Sequence, residues 1–469
     1  MQLRRGQLQN ANSLFTSAGK VVGSTSRFSH LMHLPARLFL ATLFCLPCFW
    51  LDAAEWPRFR GPNGSGIDSS TEAPTDLSEK SQQWSVEIPG SGHGSPVLWD
   101  DRIFLLSAVP EISPEPAPKS AAKGKGKKKG KGKPGAVAYQ WLTLCLDRNT
   151  GETIWEKKFD QRKFKGHRFN SAASSTPAVD AERVVFAWGT ADQLTVVSLS
   201  HDGDLHWRRD LGPVVGGHGF GGSPILYNDL VVLNNDQEKE SGNLFALHAK
   251  SGGVAWEVKR KSQRISYSVP CVYEANGREV IVFVNWQHGF TAINPKNGAV
   301  IADKSVFNTE TNERAISSPI VTRGLIIGTC GFTANPKHCV AMRLTDADEW
   351  EEVWRIERNV PHIPSLIAVG DLAFLIDDSG IGTCVDSLTG EEKWKERIPG
   401  VEGSIFGSPV SDGKHIYFAD ESGNVHVIAA SGTFQFVSKN SLGELCRTTP
   451  AIADGAVILR TETRLTAWK

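Results

Sequence analysis

One short unit recurs down most of the chain and limits what it can fold into. In Leu146–Trp155 (LDRNTGETIW) an apolar strand runs into a polar turn carrying Gly151, and a Trp follows four residues after that Gly. The same order returns in SHDGDLHW, AKSGGVAW and DSLTGEEKW, ending at Trp207, Trp256 and Trp394. Asp, Asn, Ser and Thr bond to the local backbone, and Gly supplies the positive φ with which two antiparallel strands reverse tightly. The Trp then opens a new strand and offers a large face to a neighbouring unit. Internal repetition of this kind outranks any other reading of the pattern.

A second mark gives the period. A small residue or a β-branched one precedes a Pro that opens a strand at Ser95-Pro96, Thr176-Pro177, Ser223-Pro224, Val269-Pro270, Ser318-Pro319, Ile363-Pro364, Ser408-Pro409 and Thr449-Pro450. After the first, these marks lie 41 to 49 residues apart. Four strands of five or six residues with their turns need about that length, which is one propeller blade. The expectation is an all-β, eight-bladed β-propeller of four-stranded antiparallel blades. The Trp mark stands at Trp84, Trp155, Trp207, Trp256, Trp354 and Trp394, with Ala302 and Phe436 at two degenerate positions. Blade five departs too, because Thr345-Asp-Ala-Asp348 replaces its Gly turn. Arg464–Lys469 aligns with a third strand, and its missing partner is the segment at about 83–88, which closes the ring and removes open sheet edges. Pro is tolerable at the start of an innermost strand, whose channel side is unpaired.

The domain plan is therefore 1–54, 55–82 and 83–469. In the first, Arg37 precedes an apolar run, Leu38–Leu51, and Asp52-Ala-Ala54 follows, the pattern of a signal peptide with cleavage after Ala54. The run is short for a membrane span. The second opens Glu55-Trp-Pro-Arg-Phe-Arg-Gly-Pro and reads as a strap across the fold. An insertion at 109–138, with eight Lys among Gly, Ala and Pro at 119–133, stretches the first spacing to 81 and reads as disordered. It is a tolerated loop or a basic arm for an anionic partner. Formal net charge is zero, so no specific nucleic-acid binding is expected.

The set Ser-Pro, Asp-Gly and Leu-Asp-x-x-Thr-Gly-x-x-x-Trp resembles the pyrroloquinoline quinone-like repeat family over about 83–469. That resemblance implies a propeller with docked Trp residues between blades. It spans quinoprotein alcohol dehydrogenases and the non-enzymatic propeller of the outer-membrane protein assembly machine. The secreted and assembly members match more closely than the dehydrogenases, because this chain has no adjacent Cys pair and few acidic residues near the channel (Glu313, Glu402 and Glu444). A quinoprotein needs a carboxylate base and oxygen ligands for Ca²⁺.

The natural site is the channel mouth, just ahead of each first strand. There stand His93, His167, Asn170, His218, Phe220, Tyr267, Arg314, His362, Phe406 and Arg447, a polar, aromatic and basic ring suited to an anion or a peptide. His93, His218 and His362 come from different blades and are not expected to share a metal. No catalytic residue or metal site is assigned; no GxSxG, HExxH or P-loop occurs, and no CxxC occurs beyond the apolar run that holds Cys45 and Cys48. Gly216–Gly222 reads as a tight loop. Cys330 and Cys339 flank an apparent hairpin loop whose pairing would allow a disulfide. Cys145, Cys271 and Cys384 read as buried, and Cys446 as a thiol near the channel.

Three functions follow. The first is an exported, monomeric, non-catalytic scaffold for envelope or extracellular proteins, with no cofactor and no transmembrane span once the signal is removed. The second is a PQQ- and calcium-dependent oxidoreductase. The third is a polyanion- or carbohydrate-binding module using the Lys arm and the Arg/His ring.

Overall fold

In a computed structural model, residues 54–111, 137–310, 313–332 and 336–469 are described. The expected signal segment and the Lys run lie outside them. The described residues form thirty-two strands in eight four-stranded antiparallel sheets. Seven sheets follow chain order. The eighth is built from Ala451–Ala453, Ala456–Arg460 and Arg464–Trp468, with Gln82–Glu87 as its outer strand. The ring of eight blades is thus closed by its N-terminal strand, as the repeat phase requires. The first strands are Val97–Trp99, Ala178–Val179, Ile225–Tyr227, Cys271–Ala275, Ile320–Thr322, Ile367–Val369, Val410–Ser411 and Ala451–Ala453, in blades one to eight.

Burial explains the strand chemistry. Middle strands such as Val184–Gly189 and Leu194–Leu199 are buried on both faces, because each sheet is covered by two neighbouring blades. They read as continuous β-branched and apolar runs rather than alternating ones. The outer strand Leu205–Asp210 is polar and exposed except at Trp207. Charged outer strands also blunt the free edges of the ring. The core is a series of apolar slabs between successive blades. One larger slab joins blades seven, eight and one with Trp56 and Leu77.

Two local devices register the blades. In the first, each outer-strand Trp reaches the next blade's turn. The Nε1–H of Trp84, Trp155, Trp207, Trp256, Trp354 and Trp394 donates to the carbonyls of Arg148, His201, Ala249, Pro295, Ser387 and Ser431. At five of the six the turn Gly lies on the ring, and a Cβ on Gly252 would stand 2.6 Å from Trp207; Trp394 is met by Phe434 instead. The second device is a ring of hydroxyls. The backbone N–H of Ser95 donates to Thr176 Oγ1 at 3.0 Å, and that of Thr176 to Ser223 Oγ at 2.9 Å. The relay resumes from Val269 to Ser318, Ser365, Ser408 and Thr449, at 2.8–3.0 Å. The step from Ser223 is skipped because Val269 has no hydroxyl.

This relay corrects one mark. In blade six the hydroxyl position is Ser365, followed by Leu366, so Ile363-Pro364 sits two residues ahead of the repeat phase. The hydroxyl carries the inter-blade bond, and Pro is optional beside it. The insertion boundaries shift as well. Val109 and Pro110 pair with Gln140 and Tyr139, so the hairpin ladder extends into the segment assigned to the loop.

The expected Cys330–Cys339 disulfide is also corrected, because all six described cysteines are free and buried. Across the hairpin, Cys339 faces Thr329 and Cys330 faces His338. A register offset of one turns the two side chains to opposite faces of the sheet. Cys330 enters the slab between blades four and five, and Cys339 the slab between blades five and six.

Candidate functional site

The segment after Ala54 crosses the central channel. Trp56 pairs with Leu98 of blade one, and the Pro57 carbonyl accepts from Val179 of blade two. Arg58 donates to the Pro270 carbonyl of blade four at 2.7 Å. Arg60 reaches the carbonyls of Leu366 in blade six at 2.8 Å and Pro409 in blade seven at 3.3 Å. Ile67 then bridges Ser411 of blade seven, and Asp68 accepts from the Asp454 N–H of blade eight. Gly61 is needed here: its φ is +64, and a Cβ would stand 2.5 Å from the Trp56 ring. Both guanidiniums are wholly enclosed and face carbonyls, and burial pushes them down, Arg58 to about 10 and Arg60 to about 9. They stay charged at neutral pH, so the segment ties blades together by charge-assisted bonds.

Phe59, between these arginines, forms the floor of a well of about 420 Å³ that opens on the opposite face. Nine of the ten expected mouth residues line it. Phe220 does not. It is 5% exposed and packs in the slab between blades two and three, beside Gly189, while Gly221 lines the well in its place. Gly221 leaves room for the Tyr267 ring, which a Cβ would approach to 2.8 Å. The Tyr267 hydroxyl donates to the Gly219 carbonyl at 3.1 Å.

The loop joining blades one and two covers part of the mouth. His167 stacks on His218 at 4.7 Å, and Phe169 lies 5.3 Å from Phe406. Asn170 fixes the loop by donating to the His218 carbonyl at 2.8 Å. Arg447 donates to the Arg168 carbonyl at 3.3 Å, pairs with Glu421, and lies over the Phe169 and Phe406 rings.

Charge in the well is arranged in pairs. Arg314 reaches Glu238 at 3.4 Å, and Lys337 reaches Asp378 at 2.6 Å. Asp378 also accepts from the backbone N–H groups of His362 and Ile363 at 2.9 and 3.0 Å. The imidazoles are held neutral. Burial, reinforced by Arg447 and Arg460, pushes His93 down to about 4. Burial and Arg314 do the same for His218; for His362 burial prevails over the opposing Asp378 charge, with Lys337 and Arg314 adding to the downward push.

Phe59, Phe169, Phe332 and Asp378 were not foreseen as lining residues. Phe332 and Asp378 follow second strands, Leu325–Cys330 and Leu372–Ile376. In a four-stranded up-and-down blade, the loop between second and third strands opens on the same face as the loop before the first. That rule of alternation was the signal that could have found them, and it also supplies Glu238 and Glu421. Arg102–Pro110 and Val137–Asp147, which flank residues 112–136, end on this face as well, since Ala108 bridges Ser91.

Among the described residues no group of three or more His, Cys, Asp or Glu is placed to hold a metal ion, and no helix is long and apolar enough to cross a membrane. No curated protein matches the chain significantly. Among solved structures, BamB from Moraxella catarrhalis has a TM-score of 0.51 at 14% identity, over 70% of this chain and 88% of that one. The computationally designed Ika8 protein has a TM-score of 0.54 at 10% identity, over 83% and 99%. Quinohemoprotein alcohol dehydrogenase ADHIIG from Pseudomonas putida HK5 reaches 0.49 at 12% identity, over 89% and 80%. At these identities the likeness shows the fold alone. A family model does match residues 141–396, more than half of the chain. By that match the chain belongs to the family described as outer membrane protein assembly factor BamB.

Proposed function

We propose that this chain is an exported, non-catalytic propeller that serves as a protein-interaction scaffold in the cell envelope. Membership of the assembly-factor family supports an interaction role. The observation that carries it is on the outer rim. Leu205, Val254 and Val300 open the fourth strands of blades two, three and four and are 56%, 53% and 49% exposed. Scattered exposed apolar residues are ordinary. These three share one register, two residues ahead of the docking position, on consecutive blades. Blades five and six carry Glu352 and Glu392 there. The rim therefore changes at this register from apolar side chains on blades two to four to ion-paired glutamates on blades five and six, Glu352 with Arg355 and Glu392 with Lys395, so the apolar row is confined to one arc.

The well supports the non-catalytic half of the reading. Ca²⁺ takes six to eight oxygen ligands, carboxylates and carbonyls among them, only part of which a bound quinone would supply. Asp378 is the carboxylate among the described lining residues, and it is already committed to Lys337 and two backbone N–H groups. Glu313, Glu402 and Glu444 lie outside the lining. This donor set does not fit the metal-bound quinone.

The test is a photoreactive residue at Val254 in the tagged protein, expressed in its own host. The expected result is a processed, envelope-fractionated protein with discrete protein adducts from Val254 and from the exposed Glu257, the latter lost in a Leu205→Glu, Val254→Glu, Val300→Glu variant. An unprocessed cytosolic protein, or the same adducts from Glu392, would overturn the reading. So would alcohol oxidation on adding pyrroloquinoline quinone and Ca²⁺.

A further inference from the structure

The join between blades three and four holds a chain of charged groups drawn from both. Asp236, wholly buried at the end of the second strand Leu230–Asp236, pairs through both carboxylate oxygens with Arg260, just past the outer strand Val254–Lys259. The third guanidinium nitrogen donates to Thr291 Oγ1 at 2.9 Å, and the Thr291 hydroxyl donates to Asp303 in the outer strand of blade four, Val300–Lys304. His288, between the second and third strands of blade four, completes the chain. Its Nδ1 stands 3.2 Å from Asp303 Oδ2, and its Nε2 stands 2.7 Å from the Lys261 carbonyl.

Both neighbours of the ring are acceptors. A carboxylate and a backbone carbonyl are each met by an N–H, so the imidazolium satisfies both and either neutral tautomer forfeits one. Charge points the same way. Asp236 and Asp303 against Arg260 leave one negative charge, which the imidazolium cancels. The ion-paired His338 and His426 differ, because each has one ring nitrogen without a partner among the described residues. Asp303 and Arg260 are the charged groups that act on the ring. The Asp303 bond holds His288 above its ordinary 6.5, over burial and the Arg260 charge. Against burial, the His288 and Thr291 bonds hold Asp303 below the usual carboxylate range.

The ring grips the connection 261–267, which leads into blade four. The same loop grips it a second time, where the Gln263 N–H donates to Gln287 Oε1 at 3.2 Å. The connection ends at Tyr267, in the wall of the well. We propose that His288 is a proton-operated latch: its imidazolium ties the connection 261–267 to blade four, and loss of the proton releases one of the two ties and loosens that part of the well's wall. This goes beyond the scaffold reading and does not depend on it. The unfolded side chain titrates near 6.5, so the latch is complete below pH 6.5 and is lost as pH rises through the higher folded value. The imidazoles of the well act on the other side, below 6.5.

Hydrogen exchange on the native chain from Glu55 on, read by mass spectrometry, tests both halves. Exchange at the imidazole C2 carbon should give His288 a midpoint above 6.5, which Asp303→Asn brings to 6.5 or below. Amide exchange in 261–267, corrected for its intrinsic rise with pH, should be at least about threefold faster at pH 8.5 than at pH 6, as loss of one partly exposed charge-assisted bond implies. The connection 398–406, which has no histidine, should keep its corrected rate. His288→Gln offers a donor and an acceptor but no titration, so its corrected rate should not change with pH. A His288 midpoint at or below 6.5 overturns the proposal. So does a corrected rate in 261–267 that is the same at both pH values, or a pH dependence that survives in His288→Gln. If Asp303→Asn fails to fold, the His288 midpoint in the unsubstituted chain decides by itself.

Discussion

Replacing Gly252 by Ala isolates the packing of Trp207 from the strain of the turn. Gly252 has φ of +67, and a Cβ there would stand 2.6 Å from two atoms of the Trp207 ring. Gly277, in the first hairpin of blade four, has φ of +70 and nothing within 4 Å of a built Cβ. An L-residue held at such a φ costs about 1–2 kcal/mol, and this applies to both. Overpacking against the ring adds about 1–3 kcal/mol at Gly252 alone. The entropy gained by stiffening the unfolded chain is about 0.4–1 kcal/mol in both and cancels in the comparison. Gly277→Ala should thus be mildly destabilising, and Gly252→Ala worse by about 1–3 kcal/mol. Urea unfolding followed by Trp fluorescence and far-UV dichroism measures the difference, provided the two probes coincide. Trp207→Ala costs about 3–5 kcal/mol in its own right. In that background the ring is gone, so Gly252→Ala should cost no more than Gly277→Ala, a coupling of about 1–3 kcal/mol. Equal costs for the two glycines in the native background, or a coupling of zero, would refute the stacking argument.

The well's histidines predict acid lability in a defined window. His93 and His362 stay neutral down to about 4, while their unfolded forms protonate near 6.5. The unfolded state therefore takes up protons first, and their contribution is complete above pH 6.5 and lost as pH falls toward 4, at about 2 kcal/mol each by pH 5. His218, half-buried, adds in the same direction. Glu55, pushed up to about 7 by burial, opposes them, so the urea midpoint is best followed in Glu55→Gln. A midpoint flat between pH 7 and 5 would sink this assignment. The hairpin register makes a separate prediction for the thiols. Alkylation of the unfolded chain from Glu55 on, without reductant, should modify Cys145, Cys271, Cys330, Cys339, Cys384 and Cys446 alike, and a mass two alkyl groups short would show that the register is wrong.

The ring was legible in the sequence because its inter-blade contacts are local in chemistry. A hydroxyl before the first strand, a Gly in the last turn and a Trp four residues on each make a contact that recurs blade after blade. Where Pro was taken as the mark instead of the hydroxyl, blade six was placed two residues early. The site was legible in part for the same reason. Residues just ahead of each first strand keep a fixed phase, which placed His93, Tyr267, Phe406 and Arg447 at the well. The loops between second and third strands have no repeated signature, and they hold Phe332, Asp378, Glu238 and Glu421. Phe220 was misplaced because side chains alternate sharply beside a glycine run, and one residue decides between slab and well. The disulfide failed on register, which flanking cysteines do not set.

The two positions that break the Trp pattern support the docking account rather than weaken it. Ala302 in blade four faces the turn of blade five, where Thr345–Asp348 has no Gly. A Trp at 302 would need a Gly beneath it, and both are missing together. The slot is filled from the other side, where Trp350 lies 6.0 Å from Tyr273 and its Nε1–H points to the Ala302 carbonyl at 3.4 Å. Phe436 in blade seven faces blade eight, whose third and outer strands come from opposite parts of the chain and share no turn. There the 55–82 segment takes over. Ser438 donates to the Thr75 carbonyl, and Asn440 accepts from the Leu77 N–H at 3.0 Å. A Trp is therefore kept only where the next blade presents a Gly turn, and each exception is covered by a different element. At ring closure the two problems meet: the blade that the outer strand Gln82–Glu87 completes also lacks a Gly turn, and the segment that leads into that strand seals the seam.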